Sequence, residues 1–102
     1  MDIDIKHQAI AGTTEPTDIQ ITIAPNDADD IEIELTSTTQ LSKQIKIIIL
    51  DTLEKVGITS ALIQAKDQGA PDRTIKSRTL MAAYLAADIN TAVDWRLIDD
   101  QN

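Results

Sequence analysis

Side chains able to do chemistry are sparse in this chain of 102 residues, and their types exclude more than they allow. There is one histidine, His7, and no cysteine. His7 could be a general base or a metal ligand only with a second histidine or a thiolate beside it, and neither exists, so a partly buried structural role is expected. Without cysteine there is no disulfide framework, no thiolate zinc site and no catalytic thiol. Asp27, Asp29 and Asp30 crowd one stretch but lack the glycine and trailing glutamate of a calcium loop, and they read as a solvated acidic turn. The stretch left standing is AGTTEPTD, Ala11 to Asp18. Thr13, Thr14 and Thr17 offer hydroxyls there, Gly12 permits positive φ, and Pro16 fixes its own φ while pushing Glu15 towards an extended shape. It is expected to be an exposed loop that presents something. No nucleophile elbow, phosphate-cradling glycine loop or paired metal ligands accompany it, so no catalytic residue and no metal ligand is assigned.

Composition sets the surroundings of that loop. Seventeen acidic against nine basic residues give a net charge of −8. Such a surface repels a phosphate backbone, which argues against nucleic acid and for a basic face on another protein. With no Phe, one Tyr (Tyr84) and one Trp (Trp95), the core must be built from Ile, Leu, Val and Ala. The start MDIDIKHQ has no long apolar run, so neither a secretory signal nor a membrane span is expected there, and cytoplasmic residence is the default. The length suits one domain over residues 1–102.

The elements that must hold the loop follow from periodicity. Ile3, Ile5 and His7 alternate with Asp2, Asp4 and Lys6, as in a strand with one buried face. Asp18 to Ala24 buries Ile19, Ile21 and Ile23, and Asp30 to Thr36 buries Ile31, Ile33 and Leu35; the turn PNDAD between them predicts an antiparallel hairpin. Ser37 with Gln40 forms a capping box ahead of a helix over about Thr38 to Val56, with Leu41, Ile45, Ile48, Ile49, Thr52, Leu53 and Val56 on one stripe. Gly57 marks its end. Ala61, Ile63 and Ala65 form a thin strand face, DQGAPD at Asp67 to Asp72 makes a turn, and Arg73 to Ser77 is expected to return as a strand. Arg78 to Ala87 then favours helix. Val93, Trp95, Leu97 and Ile98 suit a short final element, and the tail from about residue 88 to DDQN is expected to be mobile. The sum is an α+β two-layer domain: an antiparallel sheet of about four to five strands, packed by one long amphipathic helix and a shorter C-terminal helix.

Three segments also resemble the acyl carrier protein, or gamma subunit, of citrate lyase, over about Lys6 to Leu85. They are AGTTEPTD (approximately AGTLESGD in that family), the DIEIEL strand at Asp30 to Leu35 (IDLQL), and the DQGAPD turn through Arg78 (DKGALDC, then RAR). Ala11, Gly12, Thr13, Glu15, Asp18, Asp67, Gly69, Ala70, Asp72 and Arg78 match in order. The resemblance implies a non-catalytic carrier whose phosphoribosyl-dephospho-coenzyme A arm, joined by a phosphodiester to a serine, ends in a thiol that carries acetyl and citryl thioesters between the citrate lyase alpha and beta subunits. A prosthetic-group transferase would be a further partner. A chain without cysteine can do thioester chemistry only with a borrowed thiol.

Departures from the family pattern bear on that implication. The modified serine falls on Pro16, which has no hydroxyl, and the nearest replacements are Thr17 and Thr14. Three explanations stand: attachment moved to Thr17, an engineered or strongly diverged copy that takes no arm, or a sister carrier with another role. Downstream, Gln68 replaces the usual lysine, Pro71 the leucine and Arg73 the cysteine, and a family arginine falls near Leu85. The alternative to a carrier is an interaction module that kept the fold and lost the arm, docking through Asp27 to Glu34 and the turn near Gly69.

Overall fold

The computed structural model describes residues 3–90; Val93, Trp95, Leu97, Ile98 and the end DDQN, named above, lie outside the described residues. The order of elements is β1 (Ala9–Ala11), β2 (Ile19–Ala24), β3 (Ile31–Ser37), α1 (Ser42–Lys55), β4 (Ala61–Asp67) and α2 (Asp72–Ala86). The four strands form one sheet in the order β1-β2-β4-β3. Both helices pack on one face of it, where Ile19, Ile21, Ile23, Ala61, Ile63 and Ala65 meet Ile45, Ile49, Leu53, Ile75, Leu80, Ala82, Ala83 and Ala86 in an aliphatic core. The expected two-layer α+β architecture is therefore present, built from the branched and small side chains that the composition required.

The sheet is mixed, whereas an antiparallel one was expected. β2 pairs antiparallel with β1 and β4, but β3 runs parallel to β4, with Ile33 opposite Ile63 and Leu35 opposite Ala65. The hairpin across PNDAD does not form, because β4 lies between the two strands it would have joined. The reason is topological: a helix connecting two strands is the crossover that brings them in parallel, and β3-α1-β4 is such a unit. Burial decides which strand is central. β4 alternates between buried and exposed along its whole length, while Ile31, Ile33 and Leu35 of β3 are only partly covered, as suits an edge strand carrying Glu32 and Glu34 outward.

The second expected hairpin is also absent. Arg73 to Ser77 is the first part of α2, which starts at Asp72 and has 15 residues against 14 in α1, so it is not the shorter helix. Pro71 ends the extended turn, the Ile75 N–H donates to the Pro71 carbonyl at 3.1 Å, and Ile75, Thr79, Leu80, Ala82, Ala83 and Ala86 form one buried stripe from the first turn onward. The capping box gives way for a similar reason. Ser37 is the last residue of β3, and its hydroxyl donates to Oδ2 of Asp67 at 2.8 Å; α1 starts only at Ser42, and no side chain caps it. Leu41 stays 53% exposed, while Ile45, Ile49, Thr52 and Leu53 are buried as the stripe predicts.

Both helices end in the same way. In α1 the Ile58 N–H reaches the Leu53 carbonyl and the Gly57 N–H the Glu54 carbonyl, with Gly57 at φ 79°, a Schellman motif closed by the buried Ile58. In α2 Ile89 bonds Tyr84 and Asp88 bonds Leu85, with Asp88 itself at φ 58°. The Ala86 carbonyl at that end accepts the N–H groups of Lys6 and His7 at 2.9 and 3.2 Å. Residues 3–8 are thus bound to a helix end and form no strand, although Ile3 and Ile5 still pack against the core. His7 is exposed, contrary to the expected burial, and its Nε2 lies 2.7 Å from Oδ1 of Asp88. Contact with the Gln8 carbonyl and then with Asp88 raises its pKa.

One buried carboxyl fastens the end of the sheet. Asp67, 2% exposed, accepts from the Ser37 hydroxyl at 2.8 Å and from the Ala70 N–H at 3.0 Å, joining β3, β4 and the turn into α2. Replacing Ser37 by Ala leaves a buried oxygen without its donor and should cost about 1–3 kcal/mol. In urea unfolding this appears as a lower midpoint at unchanged slope; an unaltered midpoint would show that Ser37 is not needed there.

Candidate functional site

The loop from Gly12 to Asp18 connects β1 to β2, and Thr13, Thr14, Glu15, Pro16 and Thr17 are all exposed, as the sequence led one to expect. Its base is fixed twice. Gly12 sits at φ 88°, and a Cβ there would fall 1.9 Å from the carbonyl oxygen of Ile19, so the crossing of the two loop arms admits glycine alone. Asp18 does the rest. Its Oδ2 accepts from the Thr13 N–H at 3.0 Å and the Thr13 hydroxyl at 2.8 Å, and its Oδ1 accepts from the Ile19 N–H at 2.7 Å. Arg78 of α2 reaches the same carboxylate, Nε to Oδ1 at 3.0 Å and Nη2 to Oδ2 at 3.4 Å. Partial burial alone would push this carboxyl up; the bonds from Arg78, Thr13 and Ile19, with the Arg78 charge, outweigh it and bring the pKa to about 2.

The tip is a tight turn. The Asp18 N–H donates to the Glu15 carbonyl at 3.1 Å, with Pro16 and Thr17 between them and Thr17 at φ 67°. Proline first and a left-handed residue second is the type II pattern, whose second position calls for glycine. A β-branched residue is poorly suited to it. The Thr17 N–H also donates to the Gln68 carbonyl at 2.8 Å, and the Gln68 N–H to the Asp18 carbonyl at 2.9 Å, which seats the loop against the turn between β4 and α2.

The three hydroxyls are not equivalent. Thr13 is committed, donating to Asp18 and accepting from the Glu15 N–H at 3.1 Å. Among the described residues, Thr14 and Thr17 have no side-chain hydrogen bond and face outward. Sequence reading named Thr17, Thr14 and Pro16 for this loop, and all three lie on its exposed tip. It did not pair Asp18 with Arg78, 60 residues apart, although both stood in the motifs quoted. The available signal was an acidic residue in the loop and a basic one in the helix, which only the position of α2 brings together. Among the described residues no cluster of His, Cys, Asp or Glu is arranged to hold a metal ion, and no helix is long and apolar enough to cross a membrane.

The chain is 40% identical to the citrate lyase acyl carrier protein of Streptococcus mutans, over 98% of this chain and 99% of that one. Its identity to the citrate lyase acyl carrier protein of Lacticaseibacillus casei is 44%, over 95% and 96%. The chain belongs to the citrate lyase acyl carrier protein family. A family profile described as ACP, Malonate decarboxylase delta subunit (MdcD), matches residues 6–86, which covers all six elements. The same fold recurs in a crystal structure of a Pseudomonas malonate decarboxylase hetero-tetramer in complex with malonate, at a TM-score of 0.72 over 83% of this chain and 89% of that one, with 13% identity. In the citrate lyase carrier pattern AGTLESGD, glycine occupies the place of Thr17 and serine that of Pro16. Thr17 thus stands where that pattern has glycine, at a φ of 67° that glycine adopts without strain.

Two measurements check this account. Asp18 titrates near pH 2 in the fold and near 4 when unfolded, so the stability it contributes, at most roughly 2 kcal/mol, is complete above about pH 4 and is lost as pH falls towards 2. The melting-temperature gap between the wild type and Asp18→Asn should narrow on acidification over that window; a gap independent of pH would refute the pairing. Replacing Thr17 by Gly relieves the left-handed backbone and should raise stability by about 1 kcal/mol, seen as a higher melting temperature of the unmodified chain.

Proposed function

We propose that this chain is the acyl carrier subunit of a citrate-lyase-type complex, non-catalytic itself, and that its arm is attached at Thr17, with Thr14 the second choice. The observation that carries the assignment is the exposed, unengaged hydroxyl of Thr17 on a turn whose base is clamped by Gly12 and Asp18. Thr13 is excluded because its oxygen already donates and accepts within the loop. Pro16 has no oxygen to offer, but it stiffens the turn directly before Thr17 and so limits the directions in which a tether can leave.

A phosphoribosyl-dephospho-coenzyme A group fits such a position, because it needs a hydroxyl in the open and no enclosing pocket. When bound, the group supplies the thiol that the chain lacks and holds acetyl and citryl groups as thioesters. The protein's part is to hold the attachment point out from a rigid body and to offer a docking surface. A net charge of −8 favours rapid, reversible encounter with basic faces on the alpha and beta subunits and on the transferase that adds the arm. Cytoplasmic residence belongs to the same proposal.

Intact mass spectrometry of the chain purified from its own host tests the assignment. The expected result is an added mass matching the arm, mapped by fragmentation to Thr17, absent from Thr17→Ala and retained in Thr17→Ser. An unmodified wild-type chain that still co-purifies with lyase subunits would instead identify an interaction module that has lost the arm. Changing Pro16 to Ser should create a second acceptor for the transferase in vitro.

A further inference from the structure

One surface next to the loop gathers basic and hydroxyl side chains on an acidic protein. Arg73, Thr74, Ser77 and Arg78 line a shallow crevice of about 200 Å³ along the first turns of α2. Every lining side chain is a hydrogen-bond donor, and two of the three arginines in the chain stand there, on a protein of net charge −8. Residues four apart share a helix face, so Arg73 and Ser77, and Thr74 and Arg78, line up on one side of α2. Arg78 presents Nε and Nη2 to Asp18, which fixes its plane. Its Nη1 is free of that pair and meets only the Met81 sulfur at 4.0 Å. The position of Arg73 is cysteine in the citrate lyase carrier pattern, and the turn that leads into α2 is the one that holds the Thr17 N–H.

We propose that this crevice is a phosphate-binding site and that its ligand is the diphosphate portion of the nucleotide-derived arm. Arg78 can give a phosphate oxygen one bond, from Nη1, while its other two nitrogens stay on Asp18; Arg73 adds a second guanidinium beside it, and the flanking hydroxyls of Thr74 and Ser77 complete the set of donors. A small, donor-lined recess suits a compact phosphate group better than the carboxylates of a partner protein, which a flat basic surface would serve. Resting the arm here would keep it against α2 between visits to the partner subunits, held by salt-sensitive contacts that release easily. The identity of the ligand rests on the carrier role proposed above; the anion site does not.

The test begins with unmodified chain made in a host without the transferase and titrated with inorganic diphosphate at low ionic strength, followed by amide and arginine side-chain NMR. The expected result is saturable shifts at Arg73, Thr74, Ser77 and Arg78, weakened about tenfold by Arg73→Gln and unchanged by Lys43→Gln, which removes the same charge elsewhere. Shifts spread evenly over the surface, or equal weakening by both variants, would overturn the site. Loss of lyase-subunit binding in Arg73→Gln, with no diphosphate binding by the wild type, would also overturn it and mark a contact for an acidic protein. The arm-bearing chain should show the same resonances already shifted and refuse added diphosphate; undiminished binding there would overturn the arm as ligand. If mass analysis finds no arm, the carrier role fails while the titration still decides the anion site.

Discussion

The carboxylate of Asp18 is the point on which the loop, the sheet and the second helix agree. It collects donors from Thr13 in the loop, Ile19 at the start of β2 and Arg78 in α2. Each partner comes from a different element, so the loop has a defined shape only while α2 sits correctly on the sheet. The interaction survives partial burial because every donor favours the ionised form, and a single carboxylate accepting several bonds can afford to lose some of its water. The exposed tip of the loop therefore stands on a fixed base, and this ion pair provides it.

Topology puts the remaining parts within reach. With β4 in the centre and antiparallel to β2, the end of β4 lies beside the start of β2, Asp67 opposite Ile19. The parallel pairing of β3 brings Ser37 to the same end, opposite Asp67. The loop, the turn into α2 and the departure from β3 are therefore neighbours, tied by backbone bonds between Thr17 and Gln68 and by the buried Asp67 carboxyl. An all-antiparallel meander of the same strands would have scattered them.

How much of this was legible depended on whether the signal was local. Strict alternation placed β2, β3 and β4 within a residue or so, and the spacing of Ile45, Ile49 and Leu53 placed α1. Gly12, Gly57 and the exposed loop could be read directly, since turn chemistry is local. Partner choice was not legible from the strands themselves: turn residues at PNDAD suit a hairpin as well as a crossover, and only the helix between β3 and β4 argued for the parallel arrangement. Arg73 to Ser77 contains β-branched residues and yet is helical, because Ile75 and Thr79 had to continue the buried stripe set by Leu80, Ala83 and Ala86. Ser37 offered a capping oxygen that a buried aspartate claimed instead. In the loop, the hydroxyls were evident, but which of them is already engaged depended on Asp18.

The clasp between residues 6–7 and the carbonyl of Ala86 fixes the polarity of the whole molecule. α2 starts at the loop end and runs for 15 residues, about 22 Å, to the opposite pole, and Lys6 and His7 join it there. Among the described residues, the first segment and the end of α2 therefore lie together at the pole remote from Thr17. A disturbance at that pole must travel along α2 as far as Arg78 before it touches the loop, so the exposed turn is shielded from events at the clasp.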